Sequence, residues 1–147
     1  MPKKKIRYHL MSTQDGEREF YGVMGKFFAS ADNRRDLDGY PLNNDDSRMW
    51  IVAFDGEKPV GFGSFGVLKN NEGQLYDAWV APEYRRQGIH KSLLAMRFDW
   101  FAEHGVVTVH VIAYPSTRER FLQMGFKIDR MRGKYAYMSG AAEDVEE

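Results

Sequence analysis

The chain has no cysteine. That excludes disulfides, thiol nucleophiles and cysteine-ligated zinc, and it leaves the redox compartment open. No apolar run approaches the roughly 20 residues that a membrane span needs, so no membrane role is expected. The first residues, MPKKKIRYHL, are charged with no apolar stretch behind them, so a secretory signal is not expected and the cytoplasm is the default location. An excess of one charge is lacking too: Lys plus Arg and Asp plus Glu number 21 each. No net field draws the chain to nucleic acid or to an anionic membrane, though a local basic patch still binds either. Internal repeats and low-complexity segments are absent.

What is present points to a folded domain. At 147 residues with 43% apolar side chains, the chain is the size of one domain, and such a domain buries roughly 70% of its unfolded surface. The expected organisation is a single domain over residues 1–139 and an acidic, frayed tail over residues 140–147. Phe20, Val23, Met24, Phe27 and Phe28 recur at helical spacing, which predicts a one-faced helix. Gly22 and Gly25 inside it each cost up to about 1 kcal/mol against alanine. RMWIVAFDGEKPVGFGSFGVL predicts two strands around a longer turn at DGEKP, and QLYDAWVAP a further strand. A helix is predicted from Gly88 to His104, then the β-branched strand VVTVHVIAY, a short helix ending on Gly125, and a final hairpin. The order β-α-β-β-β-α-β-α-β-β predicts an α/β fold, a mixed sheet with helices on its faces.

The stretch VAPEYRRQGIHKSLL, residues 80–94, carries the chemistry. A strand ends, and a helix opens behind two arginines and a glycine. A helix start leaves about four amides without intrahelical partners, and the helix dipole makes that end positive. Phosphates fit there. Gly88 lets a ligand approach the backbone closely, and Arg85 and Arg86 add charge-assisted donors. An ordinary strand-to-helix turn with surface arginines reads the same residues without a ligand.

The stretch resembles the acetyl-CoA-binding motif of the GNAT N-acetyltransferase superfamily: Arg or Gln, two residues, Gly, any residue, then Gly or Ala. Here the motif reads Arg85-Arg86-Gln87-Gly88-Ile89-His90, so the last position departs from the pattern. Only its amide needs to face a diphosphate. The Val-x-Pro-x-Tyr-Arg lead-in, the downstream FLQMGF and the element order fit the same family. The resemblance implies a GNAT fold whose sheet is mostly antiparallel, and acetyl-CoA (or another acyl-CoA) as co-substrate with no metal. Pantetheine is then expected along the main chain at Trp79 and Val80, and diphosphate on Arg85, Arg86, Gln87, Gly88, His90 and Lys91. The Trp79 side chain reads more simply as core than as a cofactor wall.

Acyl transfer to an amine requires a neutral amine, a stabilised oxyanion and a protonated leaving group. The tyrosine that many relatives place before Gly-Phe falls on Phe121, which has no hydroxyl. The glutamate of some relatives falls on Tyr76, with Asp77 keeping the acid after it. The candidates that remain are Asp77 to orient the amine, Tyr114 or Tyr76 to donate a proton, and His110, which reads more simply as a satisfied core histidine. Proximity alone carries a large part of such a rate.

In the resembled family, the first helix and the loop after it shape the acceptor pocket. Between Ala31 and Arg48 that loop holds Asp32, Asp36, Asp38, Asp45 and Asp46 against Arg34, Arg35 and Arg48, a slight excess of acid that suits a cationic acceptor but reads more simply as a solvated polar loop. Phe27, Phe28 and Tyr40 wall the pocket or belong to the core. The implied reaction is direct attack of a primary amine, on a small molecule or a peptide, upon the thioester. Homodimers are common in the family. Two other readings stay open. One is a nucleic-acid-directed protein, for which PKKKIR, STRERF and DRMRGKY speak and the zero net charge does not. The other is a CoA-binding regulatory module without acetyl transfer.

Overall fold

Local patterning builds each element in the order read above. The elements are β1 (Ile6–Met11), α1 (Glu17–Phe28), β2 (Met49–Asp55), β3 (Lys58–Val67), β4 (Gly73–Val80), α2 (Ile89–Glu103), β5 (Thr108–Ala113), α3 (Pro115–Gln123), β6 (Lys127–Arg132) and β7 (Tyr135–Ala141). This computed structural model describes residues 5–30, 36, 44, 45 and 47–142. Asp32, Arg34, Arg35, Asp38, Tyr40 and Asp46 of the acceptor segment therefore lie outside the described residues, as do Lys3, Lys4 and residues 143–147.

The seven strands form one mixed sheet in the order β1-β2-β3-β4-β5-β7-β6, flanked by helices. β1–β2, β5–β7 and β6–β7 pair antiparallel, and β4–β5 pair parallel. The β2–β3 turn is tighter than the expected DGEKP loop. Only Gly56 and Glu57 separate the strands, because Gly56 takes φ +61° and so closes a two-residue turn. At the other end, β7 runs through Ala141, and the Ala142 amide bonds the Val107 carbonyl at 2.9 Å. The first residues of the stretch read as tail are thus part of the sheet.

The chain divides into two compact units, Met1–Ser64 with Asp77–Leu94, and Phe65–Tyr76 with Ala95–Glu147. In the first, α1 buries Phe20, Met24 and Phe27 as its spacing dictates. These meet a cluster of large rings. Phe20 lies 5.9 Å from Trp50, Phe27 5.1 Å from Phe62 and 5.7 Å from Trp79, centroid to centroid. Such tilted pairs add about 0.5–1.5 kcal/mol each beyond the area they bury. β3 approaches β4 closely at Gly61, where a Cβ would stand 2.9 Å from the Trp79 carbonyl oxygen.

The second unit has its own core. Phe65 packs on Trp100 and Phe101 at 5.2 and 5.5 Å, and Phe126 packs on Phe98 and Phe121 at 6.0 and 5.4 Å. The Phe126 ring occupies the space a side chain on Gly140 would need. β6 is exposed along its whole length at the edge of the sheet, and Lys127, Asp129, Arg130 and Arg132 are the charges that discourage edge-to-edge pairing.

His110 is held by a partner in this unit. A Glu72 Oε1 lies 2.6 Å from its Nε2 and also accepts from Asn70 Nδ2 at 3.0 Å. An ionised carboxylate only accepts, so the imidazole nitrogen carries the proton. The His110 bond is the main cause that holds the Glu72 carboxyl below its ordinary 4.5. A depressed folded value means stability that is present above the unfolded value and lost as pH falls through the folded one. Chemical denaturation between pH 6 and 3 is therefore expected to show a shallower acid loss in Glu72→Gln than in the parent (about pH 4.5 and below). Equal slopes would mean that the pair contributes nothing in solution.

Candidate functional site

The residues of the motif fold as one continuous piece of the first unit. β4 ends at Val80, and a single 3-10 turn spans Pro82–Tyr84. Pro82 suits that first position, where its missing amide costs nothing. Tyr84 is buried, and its hydroxyl donates to Asp55 Oδ2 at 2.7 Å, which fixes the turn to the end of β2. The chain then passes through two left-handed residues, Arg86 at φ +64° and Gly88 at φ +84°. A left-handed residue that is not glycine is uncommon and points to a constrained turn. α2 starts immediately afterwards, with Ile89 and Leu93 buried beneath it.

The first rung of the α2 ladder runs from the Ser92 amide to the Gly88 carbonyl at 3.0 Å. The amides ahead of that rung lie at the positive end of a 15-residue helix. A Cβ placed on Gly88 would meet no atom within 4 Å, so the backbone there faces open space. Arg86 is exposed, and among the described residues none hydrogen-bonds its side chain. Gln87 makes a long 3.4 Å bond to the Glu83 carbonyl, His90 is half-buried at the second helical position, and Lys91 is exposed. A cradle of amides, a glycine facing open space and an uncommitted arginine suit a diphosphate.

Arg85 is placed differently. Its Nε donates to the Val80 carbonyl at 2.8 Å, and its Nη2 donates to Asp36 Oδ2 at 2.7 Å. The same Asp36 oxygen accepts the Trp79 indole N–H at 2.9 Å. The Trp79 ring packs on Phe27 and Phe62, so its side chain belongs to the core of this unit. Asp36 was legible only as one acid among five in the acceptor segment. Nothing local marks it, because its partners lie 43 and 49 positions away. Asp45 is likewise engaged: it caps Ser47 and pairs with Arg48 Nε at 3.2 Å, and the Ser47 hydroxyl is the main cause of its lowered pKa. Both acids described in the segment are held by arginines, so the count of acids against bases does not by itself argue for a cationic acceptor.

Of the groups considered for proton transfer, Asp77 lies in the first unit, and its carbonyl accepts the Ser64 hydroxyl at 3.2 Å. Tyr76 and Tyr114 belong to the second. Tyr114 precedes Pro115 at the start of α3. Its amide donates to Thr117 Oγ1 at 3.1 Å, and its ring stands edge-on to Tyr135 at 5.9 Å. Phe121 is buried against Phe126, a packing role that needs no hydroxyl. Among the described residues no group of three or more His, Asp or Glu side chains is arranged to hold a metal ion, and no helix is long and apolar enough to cross a membrane.

Strand order, motif turn and helix start together define an acyltransferase-type fold. The Acetyltransferase (GNAT) family profile matches residues 12–126, and the chain belongs to that family. Among solved structures it is similar to the ribosomal-protein-S18-alanine N-acetyltransferase from Escherichia coli, at 16% identity and a TM-score of 0.68 over 94% of each chain. It is also similar to the PaiA N-acetyltransferase from Thermoplasma acidophilum in complex with coenzyme A. That match has 15% identity and a TM-score of 0.63 over 93% of this chain and 99% of that one. ElaA from Escherichia coli matches at 14% identity and a TM-score of 0.67, over 92% of this chain and 99% of that one. At these identities the likeness is one of fold. No curated protein matches the chain in sequence.

Proposed function

We propose that this chain is an acyl-CoA-dependent N-acetyltransferase that acts in the cytoplasm on a primary amine of a small molecule or peptide, by direct attack. The observation that carries the reading is the turn from Arg85 to Gly88, with its left-handed Arg86 and Gly88 opening α2. Bound acetyl-CoA supplies an activated thioester carbonyl as the acyl donor. The chain's own residues divide the remaining work. The main chain at Trp79 and Val80 takes pantetheine. The α2 amides, with Arg86, Gln87, His90 and Lys91 around Gly88, take the diphosphate. Asp77 orients the amine, and Tyr114 or Tyr76 returns a proton to the leaving thiolate. The CoA complex of the Thermoplasma acidophilum relative supports the choice of cofactor.

Thermal unfolding with and without acetyl-CoA tests this directly. Ligand at about a hundred times its dissociation constant adds roughly 2.7 kcal/mol. That corresponds to an expected rise of about 5–10 °C in a domain of this size. No rise with either acetyl-CoA or CoA would overturn the cofactor reading. After a rise, an amine screen with Asp77→Asn, Tyr114→Phe and Tyr76→Phe apportions the chemistry.

One observation favours a second reading. Arg118 Nη2 donates to the Lys134 carbonyl at 2.9 Å, so the basic STRERF and DRMRGKY stretches meet within the second unit. Nucleic-acid affinity that falls steeply with salt would favour an acceptor carried on nucleic acid.

A further inference from the structure

β6 is irregular in a way that sorts its side chains. Lys127 pairs with Ser139 and Ile128 with Met138, but the next pair is Arg130 with Tyr137, so Asp129 is an extra residue bulged out of the ladder. Residues three apart in a regular strand point to opposite faces. The bulge cancels that alternation and turns Lys127, Arg130 and Arg132 to one face, opposite Ser139, Tyr137 and Tyr135. Ile128 and Met131 fall on the other face, opposite the buried Met138 and Ala136. Through β7 the rows continue onto β5, as His110–Ser139–Lys127 and Ile112–Tyr137–Arg130.

The face so formed is basic, aromatic and open. Phe101 and Phe126 fill the opposite side of the sheet, beside Gly73 and Gly140. Ile112 is 45% exposed, so the face is uncovered at its centre. The exposed Arg130 holds its guanidinium carbon 4.3 Å from the centre of the Tyr137 ring. Arg132 is exposed, and among the described residues none hydrogen-bonds its side chain. Two acids lie nearby: Glu72 is bonded to His110, and Asp129 stands 3.8 Å from Lys127 Nζ. The bond from Arg118 Nη2 to the Lys134 carbonyl ties the β6–β7 turn to α3, so the rows are held in place before any ligand arrives.

We propose that this face of β5, β7 and β6 is a docking surface for a single-stranded nucleic acid. Lys127, Arg130 and Arg132 meet phosphates, while Ile112 and the Arg130–Tyr137 stack offer a flat surface to an unpaired base. An acidic peptide would satisfy the cations but brings no planar ring to the stack, so the nucleic acid is the better match. The zero net charge of the chain does not oppose this, since charges beyond about 10 Å are screened at about 0.1 M salt. The proposal does not depend on the acyl-CoA reading, and it supplies the second reading above with a contact surface.

Fluorescence anisotropy of a labelled single-stranded RNA of about 12 nucleotides and mixed sequence, titrated with the full chain, tests this. The expected dissociation constant is about 100 µM or tighter, and log affinity falls by about 2 per decade of salt, as three phosphate contacts require. Arg130→Gln and Arg132→Gln each weaken binding by about threefold or more and lower that slope by about 0.7. Tyr137→Leu, checked for folding by circular dichroism, weakens it by about fivefold or more at an unchanged slope. Arg120→Gln on α3 leaves it as in the parent. A single-stranded DNA of the same length carries the same phosphates and stacking faces, and its titration decides which sugar is preferred. Absence of binding, full affinity in the Arg130→Gln, Arg132→Gln double variant, or an equal loss in Arg120→Gln would overturn the proposal. So would a polyglutamate peptide or a duplex RNA that competes as well as the single strand. Binding without acetyl transfer to the RNA would remove the second reading and leave the docking face standing.

Discussion

Replacing Gly88 by valine is expected to weaken CoA binding more than tenfold, a loss of about 1.4 kcal/mol or more. Two physical effects act together. Gly88 sits at φ +84°, where a β-branched residue is strained by about 1–3 kcal/mol. The space beside it is open, so the added isopropyl group projects toward the position proposed for the diphosphate instead of clashing with the protein. The turn therefore loses conformation and room at once, while the buried layer beneath it, Ile89 and Leu93, is untouched. Arg86→Glu is the electrostatic counterpart, with an expected loss of about tenfold or more that shrinks as salt is raised. Calorimetric CoA titration, with circular dichroism to confirm folding, reads both. Affinity unchanged in the two variants would remove the diphosphate from this turn.

Trp50→Ala is expected to lower the stability by about 3–5 kcal/mol. Trp50 has no exposed surface, and its ring meets Phe20, Phe28 and Phe62 at 5.9, 5.6 and 5.5 Å. Its indole N–H also donates to Asn44 Oδ1 at 2.8 Å. Truncation leaves a large void among rings that are themselves held by α1 and the sheet, so little collapse can fill it. Against a typical total of about 5–15 kcal/mol, such a loss brings the chain close to unfolding at moderate temperature. Trp50→Phe keeps part of the packing, and its smaller deficit combines loss of the Asn44 bond, worth about 1 kcal/mol, with the space left by the smaller ring. Urea denaturation of the pair measures both. A deficit below about 1 kcal/mol in Trp50→Ala would show that the ring is not held in a close-packed layer.

Both predictions use features that were legible at different stages. The glycine was marked in the sequence by its place between a strand pattern and a helix pattern, since turn chemistry is written in neighbouring residues. Trp50 was legible as a strand residue, but its ring partners come from α1 and β3, and sequence spacing does not say which rings meet. Edge position was equally hidden. Ile128 and Met131 are both exposed in β6, which lies at the rim of the sheet, and apolar residues in a strand do not announce that position.

His110 illustrates the same division. Its strand was evident from the β-branched run around it. Its partner was not, because Glu72 sits in the turn before β4 and reaches it through the parallel pairing of β4 with β5.

The sequence by itself determined the element order, the buried face of α1, the family and the turn at Arg85–Gly88, because periodicity, helix capping and left-handed glycines act over a few residues. Tertiary structure decided which charges are spent on one another. Arg85 and Arg86 are adjacent and chemically identical. Both are exposed, yet Arg85 pairs with a carboxylate 49 positions away and Arg86 with none among the described residues, and only the folding together of distant segments sets that difference.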